Sequence, residues 1–297
     1  MDKELARRLI NAGVHFGHAI SRWNPKMKMY IHTRRGMIHI IDVKETLKGL
    51  FIAQKLLVDV VSSGKDVVFV GTKRQAQKAV RDIAAKCGMH YVADRWLGGT
   101  LTNFRTIRSR LQRLEELEAM EQAGTMATES KKRAATLRRE LRKIKSNLDG
   151  IRKMNRLPGA VVVVDAVKEY LALREARKLG IATVGIIDTN SDPDTVDVAI
   201  PANDDSIKAI ELILGELAEA VALGKTASQT AAPVSQRPAR ARSRRAILAR
   251  AEPQDRPQPP EPEQPEEIQE QEPSVAVAGQ AEGETGEQPA DRPEAEQ

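Results

Sequence analysis

Asp94-Arg95-Trp96-Leu97-Gly98-Gly99-Thr100-Leu101-Thr102-Asn103-Phe104-Arg105 divides this chain into two kinds of sequence. Before it, short apolar runs alternate with helical patterns. After it, charged helical sequence fills 105–156, and a Val-rich run, Ala160 to Val164, resumes the alternation. Gly98-Gly99 can take backbone angles closed to other residues and can approach a partner closely. Thr102 or Asn103 suits an N-cap for the helix that follows. The chain has only two Trp, three Tyr and four Phe, so finding Trp96 and Phe104 beside Arg95 and Arg105 carries information. The two rings read as core packing under a Gly-rich connector. Guanidinium and aromatic planes at a flexible turn also suit RNA.

Working outward, Asp66-Val67-Val68-Phe69-Val70-Gly71 reads as a buried strand, Arg74 to Lys86 as a helix and Tyr91-Val92 as a short strand. Strands follow at 160–164, 181–187 and 196–200, with helices at 168–179 and 206–223. Strands without alternation, each followed by a helix, imply a parallel sheet covered on both faces. Upstream, Met29 to His32 and Met37 to Ile41 predict a hairpin around Arg34-Arg35-Gly36, after irregular sequence from Gly13. Val43 to Ser62 has helical spacing, with Leu47, Leu50, Phe51, Gln54, Leu57 and Val58 near one face.

Within 105–156, Ile107, Leu111, Leu114 and Leu117 form an apolar stripe, and a break follows at Gly124-Thr125. Leu137, Leu141, Ile144, Leu148 and Ile151 then recur at steps of 4, 3, 4 and 3, a heptad seam. Two such helices predict an antiparallel coiled-coil hairpin, each arm reaching roughly 27 Å. The seam is too short for a long dimeric rod of the kind a chromosome-associated protein would use. The domain reading is therefore an α/β domain in two parts, 1–104 and 157–224, interrupted by the hairpin 105–156. From Lys225 to Gln297 apolar periodicity vanishes and eleven of the fifteen prolines appear, which predicts a disordered tail.

The formal charge of +6 conceals three blocks. Residues 225–297 carry nine basic and fourteen acidic side chains, leaving 1–224 at +11, of which 105–156 hold +8. Charge concentrated on one element points to a polyanion. The single cysteine, Cys87, excludes an internal disulfide and fits a reducing cytoplasm. No run is long and apolar enough to span a membrane, and the Met1-Asp2-Lys3-Glu4 start lacks the pattern of a signal peptide.

No Ser/His/Asp or Cys/His grouping reads as catalytic. Val70-Gly71-Thr72-Lys73-Arg74 ends a strand where open α/β folds bind ligands and could hold a phosphate. It is neither a Walker A sequence nor G-x-G-x-x-G, so contact with nucleic-acid phosphate is the better reading than a nucleotide-binding enzyme. Asp42 and Asp165, near strand ends, read as loop or N-cap residues. No cofactor is required, but His18, Asp188, Asp204 and Asp205 could converge on one metal ion. Asp188 ends one strand, Asp204-Asp205 precede the last helix, and such loops meet at one edge of a parallel sheet. One imidazole with two or three carboxylates suits zinc, or a harder cation such as magnesium. Alternatively Asp204 or Asp205 caps the helix, Asp188 satisfies the turn into Asn190, and His18 is packed.

Five motifs occur in order: Val14-His15-Phe16-Gly17-His18, Trp23-Asn24-Pro25-Lys26-Met27, Val70-Gly71-Thr72-Lys73, Arg95 through Asn103, and Asp188-Thr189-Asn190-Ser191-Asp192-Pro193. Together, over about residues 3–224, the chain resembles the bacterial form of the universal small-subunit ribosomal protein family called S-two. The Trp-Leu-Gly-Gly wording and the inserted hairpin look bacterial. The resemblance implies a flavodoxin-like parallel sheet with helices on both faces and a protruding coiled coil. It implies an RNA-binding structural role on the solvent side of the small subunit, among neighbouring subunit proteins, and docking of the S-one ribosomal protein. It implies neither an enzyme nor an obligate homo-oligomer. The tail from Lys225 departs from the family's usual short acidic terminus.

The mechanism expected is electrostatic clamping of ribosomal RNA, in which phosphate contacts position the protein and shape rather than sequence is read. The candidate RNA contacts are Arg34 and Arg35 at the hairpin, and Lys73 and Arg74 at the strand end. Arg95 and Arg105 flank the Gly-Gly turn, and Arg108, Lys131, Lys132, Arg138, Arg139 and Arg142 lie on the arms.

Overall fold

The computed structural model describes residues 3–125 and 130–230, with backbone alone at 229 and 230. The expected break at 124–125 begins inside these bounds, but residues 126–129 and the tail beyond 230 lie outside the described residues. A five-stranded parallel sheet is made of β4 (Val67–Val70), β5 (His90–Val92), β6 (Ala160–Val164), β7 (Ala182–Ile187) and β8 (Val198–Pro201), in the order β5-β4-β6-β7-β8. That is the flavodoxin-like order, whose switch point falls between β4 and β6.

The unbroken apolar runs are explained by two covered faces. Val67, Phe69, Val162 and Ile186 share one core with α2 (Val43–Ser62), α3 (Arg74–Cys87) and α7 (Ile207–Thr230). Val68, Val70, Val161 and Val163 share the other with Trp96, Leu101 and α6 (Tyr170–Lys178). α2 lies hard against β8: a Cβ placed on Gly49 would stand 2.3 Å from the Ala199 carbonyl, and Thr46 Oγ1 donates to Pro201 O at 2.6 Å.

Helices α4 (Phe104–Gln122) and α5 (Lys131–Leu148) follow β5. The second core also takes in Ile107, Leu111, Leu114, Leu117, Leu141, Leu148 and Ile151, with Leu137 and Ile144 partly buried against it. Both expected stripes thus face inward. Arg108 Nη1 donates to Asn155 O, Lys145 reaches Glu118, and Arg152 spans Glu118 and Glu115.

Four local expectations need correction. The stretch after α1 (Lys3–Asn11) is not wholly irregular, because β1 (Phe16–Ala19) pairs antiparallel with β3 (Ile38–Ile41), which also pairs with β2 (Ile31–Arg35). Its periodicity was invisible because the strand buries little of itself, and Gly17 instead fits beneath Thr189, 2.6 Å from where a Cβ would stand. Arg34 and Arg35 lie in β2 rather than at the turn, which is made at Gly36 with φ +61°. Phe51 is exposed at 45 % while Ala53 is buried in its place. The last helix runs past Lys225 to Thr230, because Gly224 packs on Val61 and Lys225 Nζ bonds the carbonyls of Cys87 and Gly88 at the end of α3.

Candidate functional site: a buried charge cluster and a basic surface

The Gly-Gly turn is organised by a residue that its own sequence does not contain. Glu175 of α6 is 7 % exposed, and its Oε1 accepts from Trp96 Nε1 at 3.2 Å and Gly99 N at 2.7 Å. Its Oε2 accepts from Leu101 N at 2.9 Å, Thr102 N at 3.1 Å and Thr102 Oγ1 at 3.2 Å. Burial pushes this carboxyl up, but the N–H groups of Thr102, Gly99, Leu101 and Trp96 outweigh it and hold it below the usual range. Gly99, at φ +89°, lets the backbone amides converge. Asn103 occupies the N-cap position of α4 without a side-chain bond to the helix backbone. Trp96 is core, as one reading of the stretch has it, while Arg95 and Arg105 are exposed.

A second cluster sits at the carboxyl ends of the strands. His18, Asp188, Asp204 and Asp205 come together there, around Lys73. His18 Nδ1 is 2.9 Å from Asp188 Oδ2, and its Nε2 is 3.5 Å from Asp205 Oδ2. Lys73 Nζ lies 2.8 Å from Asp204, 2.7 Å from Asp205 and 3.7 Å from Asp165. Asp188 Oδ1 also accepts from His18 N at 3.2 Å, which ties the N-terminal segment to the sheet. Neither Asp204 nor Asp205 caps α7. Asn203 Oδ1 accepts from Asp205 N and Ser206 N, and Ser206 Oγ accepts from Ala209 N. Asp165, at φ +69°, accepts from Val167 N and Lys168 N, and Asp42 accepts from Lys44 N, so both are turn and cap residues as expected.

The electrostatics of the cluster are uneven. The Asp204 carboxyl is pushed up to about 7 by burial and then by the Asp188 charge, and attraction to Lys73 only partly opposes this. Its Oδ2 is buried and has no hydrogen-bond partner among the described residues. The hydrogen bond to Asp188 raises His18. Burial lowers Lys73, but its bonds to Asp204 and Asp205 prevail and raise it.

This arrangement gives Lys73 carboxylate partners where the phosphate reading expects a free ammonium. Its ammonium is engaged by carboxylates, and the neighbouring Thr72 N donates to Glu169 Oε1 at 2.8 Å. A phosphate at Lys73 would also meet Asp165, Glu169, Asp204 and Asp205, and like charge disfavours it there. The same carboxylates disfavour a nucleotide phosphate at this loop.

The other eleven candidate contacts are exposed: Arg34, Arg35, Arg74, Arg95, Arg105, Arg108, Lys131, Lys132, Arg138, Arg139 and Arg142. Among the described residues none of them makes an ion pair. The basic residues that do pair on the arms are different ones: Arg113 with Glu116 and Glu140, Lys145 with Glu118, Arg152 with Glu115 and Glu118. Glu115, Glu116 and Glu118 of α4 and Glu140 of α5 thus satisfy Arg113, Lys145 and Arg152, a set distinct from the eleven candidates. Sequence reasoning missed Glu175 and Glu169, each a lone acid in a helical pattern whose partners lie some 70 to 100 positions away.

A flavodoxin-like α/β domain thus carries a charge cluster at its strand ends and, among the described residues, eleven exposed cations that make no ion pair. The family model described as Ribosomal protein S2 matches residues 9–224. The chain is 54 % identical over 237 residues to the small ribosomal subunit protein uS2 of Rhodopirellula baltica, an alignment covering 80 % of this chain and 91 % of that one. The chain belongs to the ribosomal protein S2 family, whose members are structural ribosomal proteins and not enzymes. No helix among the described residues is long and apolar enough to cross a membrane.

Proposed function

We propose that this protein is a structural constituent of the small ribosomal subunit, acts in the cytoplasm in translation, and clamps ribosomal RNA through its exposed basic side chains. The observation that carries this is the sorting of charge: eleven exposed cations that make no ion pair among the described residues, beside Arg113, Lys145 and Arg152 that do. α4 and α5 act as the two arms of an antiparallel coiled-coil hairpin that extends Arg105, Arg108 and the α5 cations over RNA. Its surface also docks the S-one ribosomal protein and neighbouring subunit proteins, and the chain is not an obligate homo-oligomer. Native protein should sediment with the small subunit and bind its RNA, with affinity falling steeply as salt rises. Sedimentation as a free protein would overturn the reading.

The charge cluster favours a second role, as a structural metal centre. One ligand atom each from His18, Asp188 and Asp204 lies within 4.8 Å of the others. The orphaned Asp204 Oδ2 is a donor in want of a cation. His18, Asp188 and Asp204, with Asp205 adjoining, fit zinc, or magnesium with waters completing an octahedron. Lys73 competes for the same carboxylates, and an ion would displace its Nζ from Asp204. Bound there, an ion would fasten the N-terminal segment to the sheet. Metal content of purified protein, compared with His18→Ala/Asp188→Asn, decides it: stoichiometric metal in the native chain alone supports the centre, and none in either removes it.

A further inference from the structure

Trp23, Lys28, Ile31, Thr33, Arg34 and His39 line an open cavity of about 340 Å³ on the small antiparallel sheet. His39 is 8 % exposed, yet among the described residues neither Nδ1 nor Nε2 has a hydrogen-bond partner. Leaving a buried donor and a buried acceptor unmade is costly, and native proteins rarely do so without a ligand or water to complete them. The indole of Trp23 lies over this imidazole, ring centroids 5.4 Å apart and planes at 44°. Arg34 stands directly across the strand pair from His39.

The scaffold around the cavity is held firmly. Asn24 N donates to Thr189 O at 2.7 Å, its side chain caps the 3-10 helix Pro25–Tyr30 that carries Lys28, and Met27 is fully buried beneath that helix. Lys28 and Arg34 are exposed, and among the described residues neither makes an ion pair. The cavity therefore offers an aromatic face, an apolar wall, one hydrogen-bonding ring and two free cations at its mouth. Bases are recognised in this way once they leave a stack: the ring against an aromatic side chain, the edge by hydrogen bonds, the phosphate by cations. A base inside a helix cannot enter a concave site.

We propose that this cavity binds a single unpaired nucleotide of the ribosomal RNA, with its base against Trp23 and His39 and its phosphate at Lys28 and Arg34. The proposal rests on the RNA-binding reading above and adds a site that the arms do not contain. Trp23 is the stacking residue, and His39 supplies the hydrogen bonds that its surroundings leave unmade.

The test uses the full chain and transcribed small-subunit ribosomal RNA, comparing the native protein with Trp23→Ala and Trp23→Phe. Loss of stacking in Trp23→Ala should weaken binding about 5- to 150-fold, with the salt dependence unchanged. Trp23→Phe, which can still stack, should recover most of the affinity. Lys28→Gln/Arg34→Gln should instead flatten the salt slope. Trp96 is buried, so quenching of indole emission on adding RNA reports Trp23, and it should vanish in Trp23→Phe. Should Trp23→Ala fail to fold, the quenching still decides. RNA binding by the native chain with no quenching, or equal affinity in Trp23→Ala, overturns the nucleotide site and leaves the clamp standing. No RNA binding at all removes both.

Discussion

Glu175 shows how much one buried carboxylate can hold. Five donors converge on its two oxygens, four of them from the Trp96–Thr102 turn backbone and indole. Glu175→Gln sets an amide NH₂ against some of those donors, and unsatisfied buried groups cost about 1–3 kcal/mol. Urea unfolding should show a loss of that size, and native stability would mean the turn is held by something else. The depressed carboxyl also has a pH consequence: its contribution is present above the unfolded value near 4.5 and is lost as pH falls through the lower folded one. Asp204 and His18 act in the opposite sense. Asp204 titrates near 7 in the fold against 3.8 in the free side chain, so the native state binds more protons between those values. His18, raised above 6.5, contributes fully below that value and loses its contribution as pH rises through the folded one. With metal chelated, stability should therefore decline as pH rises from about 4 to 7, by at most about 1.4 kcal/mol per unit from Asp204. Asp204→Asn should flatten that decline in thermal unfolding followed across pH, and an unchanged profile would assign it elsewhere.

At the scale of elements, α4 and α5 are where charge and packing separate most cleanly. Their apolar stripes face one core while unpaired cations project outward. Replacing Lys131, Lys132, Arg138 and Arg139 by Gln should flatten the dependence of log affinity on log salt by roughly 0.7–0.9 per lost phosphate contact. Leu141→Ala, at a 6 % exposed seam position, should cost about 2–3 kcal/mol locally while the sheet persists. Circular dichroism would register partial rather than total loss. These apolar stripes were legible because helical spacing is a local signal, as were β4, β6 and β7, whose Val-rich runs allow little else. β1 was not legible, since Phe16–Ala19 draws its order from Ile38, Ile40 and Thr189 rather than from its own pattern. The convergence of His18 with Asp188, Asp204 and Asp205 could be read from strand ends. Lys73 in their midst could not, because a lysine after a strand looks the same whether it meets phosphate or carboxylate.

For the whole molecule, the excess of +11 over residues 1–224 is not spread evenly. The strand ends gather acids around Lys73, whereas α4, α5 and β2 present exposed cations that make no ion pair among the described residues. The sheet order adds a consequence in time. Gln54 bonds the Glu216 carbonyl across 162 positions, Thr46 meets Pro201 across 155, and His18 meets Asp188 across 170. A nascent chain can therefore finish α4 and α5 while α2 and β4 still lack their covering. At synthesis rates of 5–20 residues per second, that apolar face stays bare for roughly 10–30 s. Pairings this distant also fold slowly. Chains truncated before Ile207 should aggregate unless a chaperone holds them, whereas chains ending at Thr230 should remain dispersed in light scattering. Arrival of the last helix is thus the moment at which a growing chain can first cover the apolar face it made more than a hundred residues earlier.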